Sequence, residues 1–326
     1  MLENIPPTSA PKVSVCVITY NHERFLRECL VSIFSQEVDF EFEVIIADDL
    51  STDSTRAIAR EFATQYAGRV RLLLPDNKPG PVATFVSLHD AASGEYIAHI
   101  DGDDMMLPGR LQAQTEFLDL HPECALVGHD VRVVSRTDAA VISESFIGRP
   151  IPEVTDLEFL LTNGCFFAHS SKMYRRSANA SWDRNEPVVD FYLHVAHALQ
   201  GKVGYIDRVL GVYRRGTGSI SHVHSQFHHT VVHGHLRAFT CALQHGVPGE
   251  VIFRLMAQYK YVNAMHCLRN DRFNLFRELI RLDDDQRPKA SSRHRLMERI
   301  APFGPVASGM VWIFDLTARV RRRVSR

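Results

Sequence analysis

What most constrains the fold of this chain is an alternation running from residue 13 to about residue 130. Short apolar runs, each stopping on a polar or acidic cluster, are separated by segments with helical spacing. Val13-Ser14-Val15-Cys16-Val17-Ile18 is a β-branched run of the kind that forms a strand buried on both faces, and it stops at Thr19-Tyr20-Asn21. Asn21 is placed to cap a helix with Leu26, Cys29, Leu30, Ile33 and Phe34 along one face. A second run, Phe42 to Ala47, stops at Asp48-Asp49. Ser51 or Thr52 can then cap a helix carrying Ile58, Phe62 and Tyr66. Val70 to Leu74 reads as a third strand and Val82 to Ala92 as a helix. Tyr96 to Ile100 is a fourth strand, running into Asp101-Gly102-Asp103-Asp104. Pro108 suits the first turn of the next helix, and Ala125 to Val127 begins another strand.

Such a succession predicts an α/β fold, a mostly parallel sheet flanked by helices. Ligands of these sheets bind beyond the carboxyl ends of the strands. The clusters Thr19-Tyr20-Asn21, Asp48-Asp49 and Asp101 to Asp104 are therefore expected on one edge. Carboxylates spaced D-x-D at a strand end can hold Mg²⁺ or Mn²⁺ through oxygen, with substrate phosphates completing the shell. Such a cation neutralises a departing diphosphate. Gly102 would let the backbone approach a ligand closely. The same four residues also make an ordinary acidic turn. Asp49 can accept a hydrogen bond from a base or ribose, or the segment from Asp48 to Asp53 can simply cap a helix.

Composition excludes several classes. The net charge of −1 points to neither nucleic acid nor membrane for the chain as a whole. The six cysteines contain no C-x-x-C pair, which argues against a zinc ribbon or a dense disulfide framework and suits a reducing compartment. No apolar stretch reaches the ~18 to 20 residues that span a bilayer, and the N-terminus does not read as a signal peptide. A cytoplasmic protein is expected. No G-x-G-x-x-G follows the first strand and no G-x-x-x-x-G-K-[ST] is present, which disfavours a dehydrogenase and a P-loop NTPase.

Three segments in order carry a family resemblance. The opening strand with Thr19-Tyr20-Asn21, the segment Glu43 to Thr55 and the segment Ser93 to Asp104 resemble motifs of the family 2 glycosyltransferases, which have the GT-A fold. The resemblance covers roughly the first 130 residues. It implies that Thr19, Tyr20, Asn21 and Asp49 contact the nucleotide of a nucleoside-diphosphate sugar. It also implies that Asp101, Gly102, Asp103 and Asp104 hold the sugar-diphosphate, with Asp103 and Asp104 on the metal. Asn77 to Thr84 departs from the pattern, lacking the arginine that many members place there. Asp190, before a helix at Phe191 to Leu199, matches the general base of inverting members; otherwise it is that helix's N-cap. Tyr213-Arg214-Arg215 and Gly216-Thr217-Gly218 resemble a lid segment in which Arg214 pairs with phosphate, and His222 beside it is a further metal candidate. His224, His228, His229 and His233 read as a polar helix.

The expectation is an inverting, metal-dependent transfer from a nucleoside-diphosphate sugar, UDP-sugar favoured, to a glycan or lipid-linked acceptor in bacterial cell-surface polysaccharide assembly. The rival is an inactive scaffold of the same fold that binds a nucleotide sugar. Residues 1–220 would form the GT-A domain, and 221–326 a helical extension. From Arg287 onward, ten Lys or Arg face only Glu298 and Asp315 and stand beside Phe303, Trp312 and Phe314. That combination suits peripheral contact with an anionic membrane face, or a docked terminal helix with a basic end.

Overall fold

The computed structural model describes residues 10–179, 189–216 and 225–269. At its centre β1 (Val13–Thr19) lies between β2 (Phe42–Asp48) and β4 (Tyr96–Asp101), with nearly every residue of all three buried. Both pairings are parallel, and their register sets Thr19 against Asp48 and Ile18 against Asp101. β3 (Val70–Leu73) extends the sheet in parallel beyond β2. Parallel neighbours need long crossovers. These are α1 (Leu26–Phe34), α2 (Thr55–Gln65) and α3 (Pro81–Asp90). The three polar strand ends therefore lie side by side, as the alternation requires.

Beyond β4 the sheet changes character. β9 (Met173–Arg175) is inserted antiparallel to both β4 and β6 (Cys124–Ser135). β10 (Lys202–Arg215) then runs parallel to β6, with register shifts between Ile206 and Gly211. With 14 residues it is the longest strand among the described residues. β5 (Met105–Met106), β7 (Val141–Ser143) and β8 (Val154–Thr155) add antiparallel edges. The sheet is thus mixed: parallel across β3-β2-β1-β4 and again across β6-β10. The antiparallel strands are two or three residues long, too short to impose a periodicity on the sequence.

Both expected helix caps fail for one reason. Asn21 has a left-handed backbone (φ 53°), and its Oδ1 accepts from the Thr52 N–H at 2.9 Å, so α1 begins only at Leu26. Ser51 is spent on Asp48, to which it donates from both N–H and Oγ. The first N–H of α2 is met instead by Asp53 Oδ1, 3.0 Å from Thr55 N.

The main core takes Leu26, Cys29, Leu30 and Ile33 from α1 with the inner residues of β1, β2 and β4. Each buried aliphatic contributes about 1.5–3 kcal/mol. Phe34 and the residue closing α2, Tyr66, stack nearly parallel with centroids 3.7 Å apart. α4 (Arg110–Leu120) covers the same core with Leu111, Phe117 and Leu118. α5 (Leu157–Asn163) and α6 (Asp190–Ala198) follow.

The chain divides between His222 and Val223 into two compact units. In the second, α7 (Ser225–Gln244) and α8 (Gly249–Arg269) pack together, with His235 stacked on Tyr259 at 4.7 Å. No helix among the described residues is long and apolar enough to cross a membrane. The basic, aromatic segment from Arg287 onward lies outside the described residues.

Candidate active site

The loops after β1 and β2 form one interlocked unit. The Asp49 N–H donates to Thr19 O (3.0 Å), Asn21 N–H to Ser51 Oγ (2.8 Å) and His22 N–H to Thr55 Oγ1 (2.8 Å). Asn21 and Leu50 both hold left-handed conformations (φ 53° and 61°). Non-glycine residues adopt these at a cost that clusters at functional sites. Asp48 is spent inward on Ser51 and on Arg56, whose Nε is 3.4 Å away. Asp49 differs. Its Oδ1 accepts from Thr84 of α3 at 2.9 Å, while its Oδ2 makes no hydrogen bond among the described residues. Beside it Tyr20 is 41% exposed, with Lys78 Nζ 3.9 Å from its ring centroid. The segment that lacks an arginine therefore still supplies a cation.

Gly102 has a packing role. Its N–H donates to Ile18 O at 2.8 Å, and a Cβ there would meet Thr19 Oγ1 at 2.9 Å and His22 Nδ1 at 3.1 Å. The close approach seen is between β4 and the end of β1. It leaves Thr19 buried beneath the turn, with Oγ1 lacking a hydrogen-bond partner. Thr19 and Asn21 thus build the floor and tie its loops, and neither side chain is free in the way Tyr20's is.

The three carboxylates of the acidic turn diverge. Asp101 Oδ2 accepts from Ser170 Oγ at 2.8 Å, and Oδ1 lies 3.4 Å from His99 Nε2. Burial opposes its ionisation, but these contacts prevail and hold its carboxyl below the usual range. Asp103 lies 3.4 Å from Arg136 Nη1 and 3.9 Å from His22 Nε2. Burial and the charge of Asp101 nevertheless push its carboxyl up. Asp104 is buried, with Oδ1 accepting the Arg214 N–H (2.8 Å) and Oδ2 unpartnered. Burial, then Asp103 and Asp101, raise it well above the usual range. Among the described residues no three ligands converge on one point. The donor set still fits a hard divalent cation: two neighbouring carboxylates, one with an orphaned buried oxygen, whose shell phosphate oxygens would complete.

Arg214 is not on a flexible lid. It lies in β10, where Nη1 donates to Asp103 O at 2.5 Å and Nη2 pairs with the Glu28 carboxylate. Its guanidinium braces the acidic turn. His222 and the loop Thr217-Gly218 lie outside the described residues.

Asp190 is the first residue of α6, whose N-cap is Val189, so the capping reading of Asp190 does not hold. Its side chain is 64% exposed, with Oδ1 3.7 Å from His169 Nδ1. Desolvation, followed by the charge of Asp101, pushes its carboxyl up to about 6, against the opposing pull of Lys172. That value suits a group that accepts a proton near neutral pH.

Residues 14–182, more than half of the sequence, match the profile described as Glycosyl transferase family 2. The chain belongs to glycosyl transferase family 2. An uncharacterized protein of Mycobacterium tuberculosis is 38% identical over 216 residues, which cover 64% of this chain and 60% of that one. The putative glycosyltransferase EpsE of Bacillus subtilis is 36% identical over 172 residues, covering 52% of this chain and 58% of EpsE. The chain thus spans about three fifths of the length of these curated relatives. Among solved structures, Staphylococcus aureus TarS residues 1–349 in complex with UDP-GlcNAc superimposes with a TM-score of 0.65 at 17% identity. That match covers 91% of this chain and 89% of TarS 1–349. The fold is the GT-A type of the family.

The family motifs locate the strand ends but not what surrounds them. A buried hydrogen-bonded row leads to Asp101. Tyr174 OH meets His89 Nδ1, His89 Nε2 lies 3.0 Å from His99 Nδ1, and His99 Nε2 faces Asp101. His99 Nε2 lies 3.4 Å from Asp101 Oδ1 without a hydrogen bond, so the bonded row stops one step short of the carboxylate. A second group joins Lys172, His169 and His194, with His169 Nδ1 3.4 Å from both Lys172 Nζ and His194 Nε2. These residues come from separate elements, and no spacing in the sequence links them. Arg110 did leave a signal. A cation at the first position of a helix opposes the macrodipole, which implies a nearby anion. Its buried guanidinium donates to His99 O at 3.0 Å, and the charge of Asp104 supports it.

Proposed function

We propose that this family 2 member transfers a sugar, with inversion, from a nucleoside-diphosphate sugar to an acceptor hydroxyl in the assembly of a cell-surface polysaccharide. The observation that carries the reading is the pairing of consecutive residues. Ser170 Oγ donates to Asp101 at 2.8 Å while His169 Nδ1 lies 3.7 Å from Asp190. One turn thereby sets the spacing between the donor-side carboxylates and a carboxylate poised to accept a proton.

On this reading Asp49 and Tyr20 receive the nucleoside, with Lys78 beside them near the phosphates. Uridine is favoured by likeness to TarS, which is described with UDP-GlcNAc. Mg²⁺ or Mn²⁺ would be held by Asp103 and Asp104, with His222 a further ligand, and would supply charge neutralisation for the diphosphate. Asp190 takes the proton of the acceptor hydroxyl, which attacks the anomeric carbon from the face opposite the diphosphate. Arg214 and Arg110 hold the acidic turn in place from behind. A glycan or lipid-linked acceptor, met at the membrane surface by the basic C-terminal segment, fits a polysaccharide role.

A Glycosyl transferase family 2 protein that only bound nucleotide sugars would have no use for an exposed carboxyl raised to about 6 beside the charge of Asp101. The reading is tested by offering a panel of UDP-sugars, with and without Mn²⁺, and following both thermal shift and UDP release. It expects stabilisation by one donor together with UDP release. Stabilisation with no release under any acceptor condition would favour the scaffold.

A further inference from the structure

Lys172 is the residue the proposed reaction leaves unused. It precedes β9 and is wholly buried. Its backbone is fixed on both sides, the His99 N–H donating to its carbonyl at 3.1 Å and its own N–H to His169 O at 3.4 Å. Among the described residues no carboxylate lies within ion-pair distance of its ammonium. The Nζ instead meets His169 Nδ1 at 3.4 Å, between the rings of Phe85 (5.6 Å) and Tyr174 (5.7 Å). An ammonium buried without a direct counter-ion costs several kcal/mol, and methionine would fill the same space without that cost. A lysine kept there implies use of its charge.

The surroundings say what that use is. Asp190 on α6 and Asp101 at the end of β4 are the carboxylates whose charge favours the ammonium. The imidazoles facing it, His89, His99, His169 and His194, are all pushed down by burial, which keeps them neutral. His197 of α6 is pushed down in the same way. The thiols of Cys16 and Cys165 are pushed up by burial and stay protonated. Lys172 is therefore the cation that acts on Asp190 from inside the fold. Because an ammonium only donates, its bond to Nδ1 fixes His169 as the Nε2–H tautomer. The same Nδ1 lies 3.7 Å from Asp190 Oδ1, so the cation and the carboxylate meet at one ring nitrogen.

We propose that Lys172, seated at the His169 nitrogen that also faces Asp190, is a positioning residue for Asp190, keeping that carboxylate negatively charged and oriented toward the acceptor. The proposal rests on the reading of Asp190 as the base. Burial holds the Lys172 ammonium down to about 7, so its charge is present across the range in which Asp190 titrates. Removing that charge raises the Asp190 carboxyl further. The acidic limb of kcat then moves to higher pH, the direction a nearby cation predicts in reverse.

The test is the pH profile of UDP release, using the UDP-sugar most active in the panel, for wild type, Lys172→Met, His169→Gln and Asp190→Asn. Lys172→Met is expected to move the acidic limb up by about one pH unit and to lower kcat about fivefold at pH 6, approaching tenfold on the acid limb, with donor KM within about twofold. His169→Gln loosens the bond that seats the ammonium. It should move the limb the same way by less, and it stands in if the methionine variant does not fold. An inactive Asp190→Asn with unmoved limbs in the other two would overturn the proposal and leave the base intact. Near-normal turnover by Asp190→Asn would overturn both.

Discussion

The backbone N–H of Arg214 donates to Asp104 Oδ1 at 2.8 Å, joining the end of β10 to an acidic turn 110 residues earlier. The Arg214 side chain doubles the link through Asp103 O and Glu28. The long strand β10 thus places a buried cation under carboxylates that otherwise repel one another.

Arg214→Leu keeps the backbone bond and removes the guanidinium. We expect a loss of about 1–3 kcal/mol in stability from the unpaired groups left behind, measurable by urea unfolding. Donor KM should rise at least severalfold. Unchanged donor KM in a folded variant would limit Arg214 to a structural role.

Gly102→Ala tests the crossing of β4 over β1. Its methyl would stand 2.9 Å from Thr19 Oγ1 and 3.0 Å from Thr19 Cβ. Overpacking of this kind costs about 1–3 kcal/mol. The end of β1 must yield, so melting temperature and donor affinity should fall together. A variant as stable as wild type would show that the turn can move aside.

The pH dependence follows from Asp190. Its folded-state carboxyl lies at about 6, above the usual carboxylate range, so it is ionised above that pH and protonated below. A base must be ionised to accept a proton. The rate at saturating substrate should therefore fall tenfold per unit on the acid side of about pH 6, in a pH series with the enzyme shown to stay folded. A limb near pH 4 would mean that another group, or an unshifted Asp190, is being titrated.

Much of this site could be read from the sequence because it is local. An apolar run that stops on Thr19, Asp48 or Asp101 announces a strand end, and parallel pairing puts such ends together. The helix caps were misread because Asn21 and Ser51 bond across two loops, a choice that depends on contacts about 30 residues apart in the chain. At Gly102 the sequence does not reveal that Thr19 lies under the turn. The histidine rows were invisible for the same reason. His89, His99, His169 and His194 each pass for core or helix residues, and only the sheet order brings them into contact. Lys172 stands in a run of polar and basic residues, where no local pattern marks it as buried.

Metal dependence has its own test. Removal of divalent cations by EDTA should abolish UDP release, and Mn²⁺ or Mg²⁺ should restore it, because the crowded Asp103 and Asp104 carboxyls are both pushed up and Asp104 Oδ2 has no partner among the described residues. Full activity in EDTA would contradict this assignment and leave Arg136 and Lys78 as the cations nearest the donor site.

The central claim is that Asp190 removes the acceptor proton and does little for the donor. Its most direct test is Asp190→Asn, assayed for UDP release and, separately, for donor binding by thermal shift. The account predicts turnover reduced by about 10²–10⁴-fold, the usual worth of a general base, with donor-induced stabilisation close to wild type. Turnover within a few-fold of wild type would contradict it.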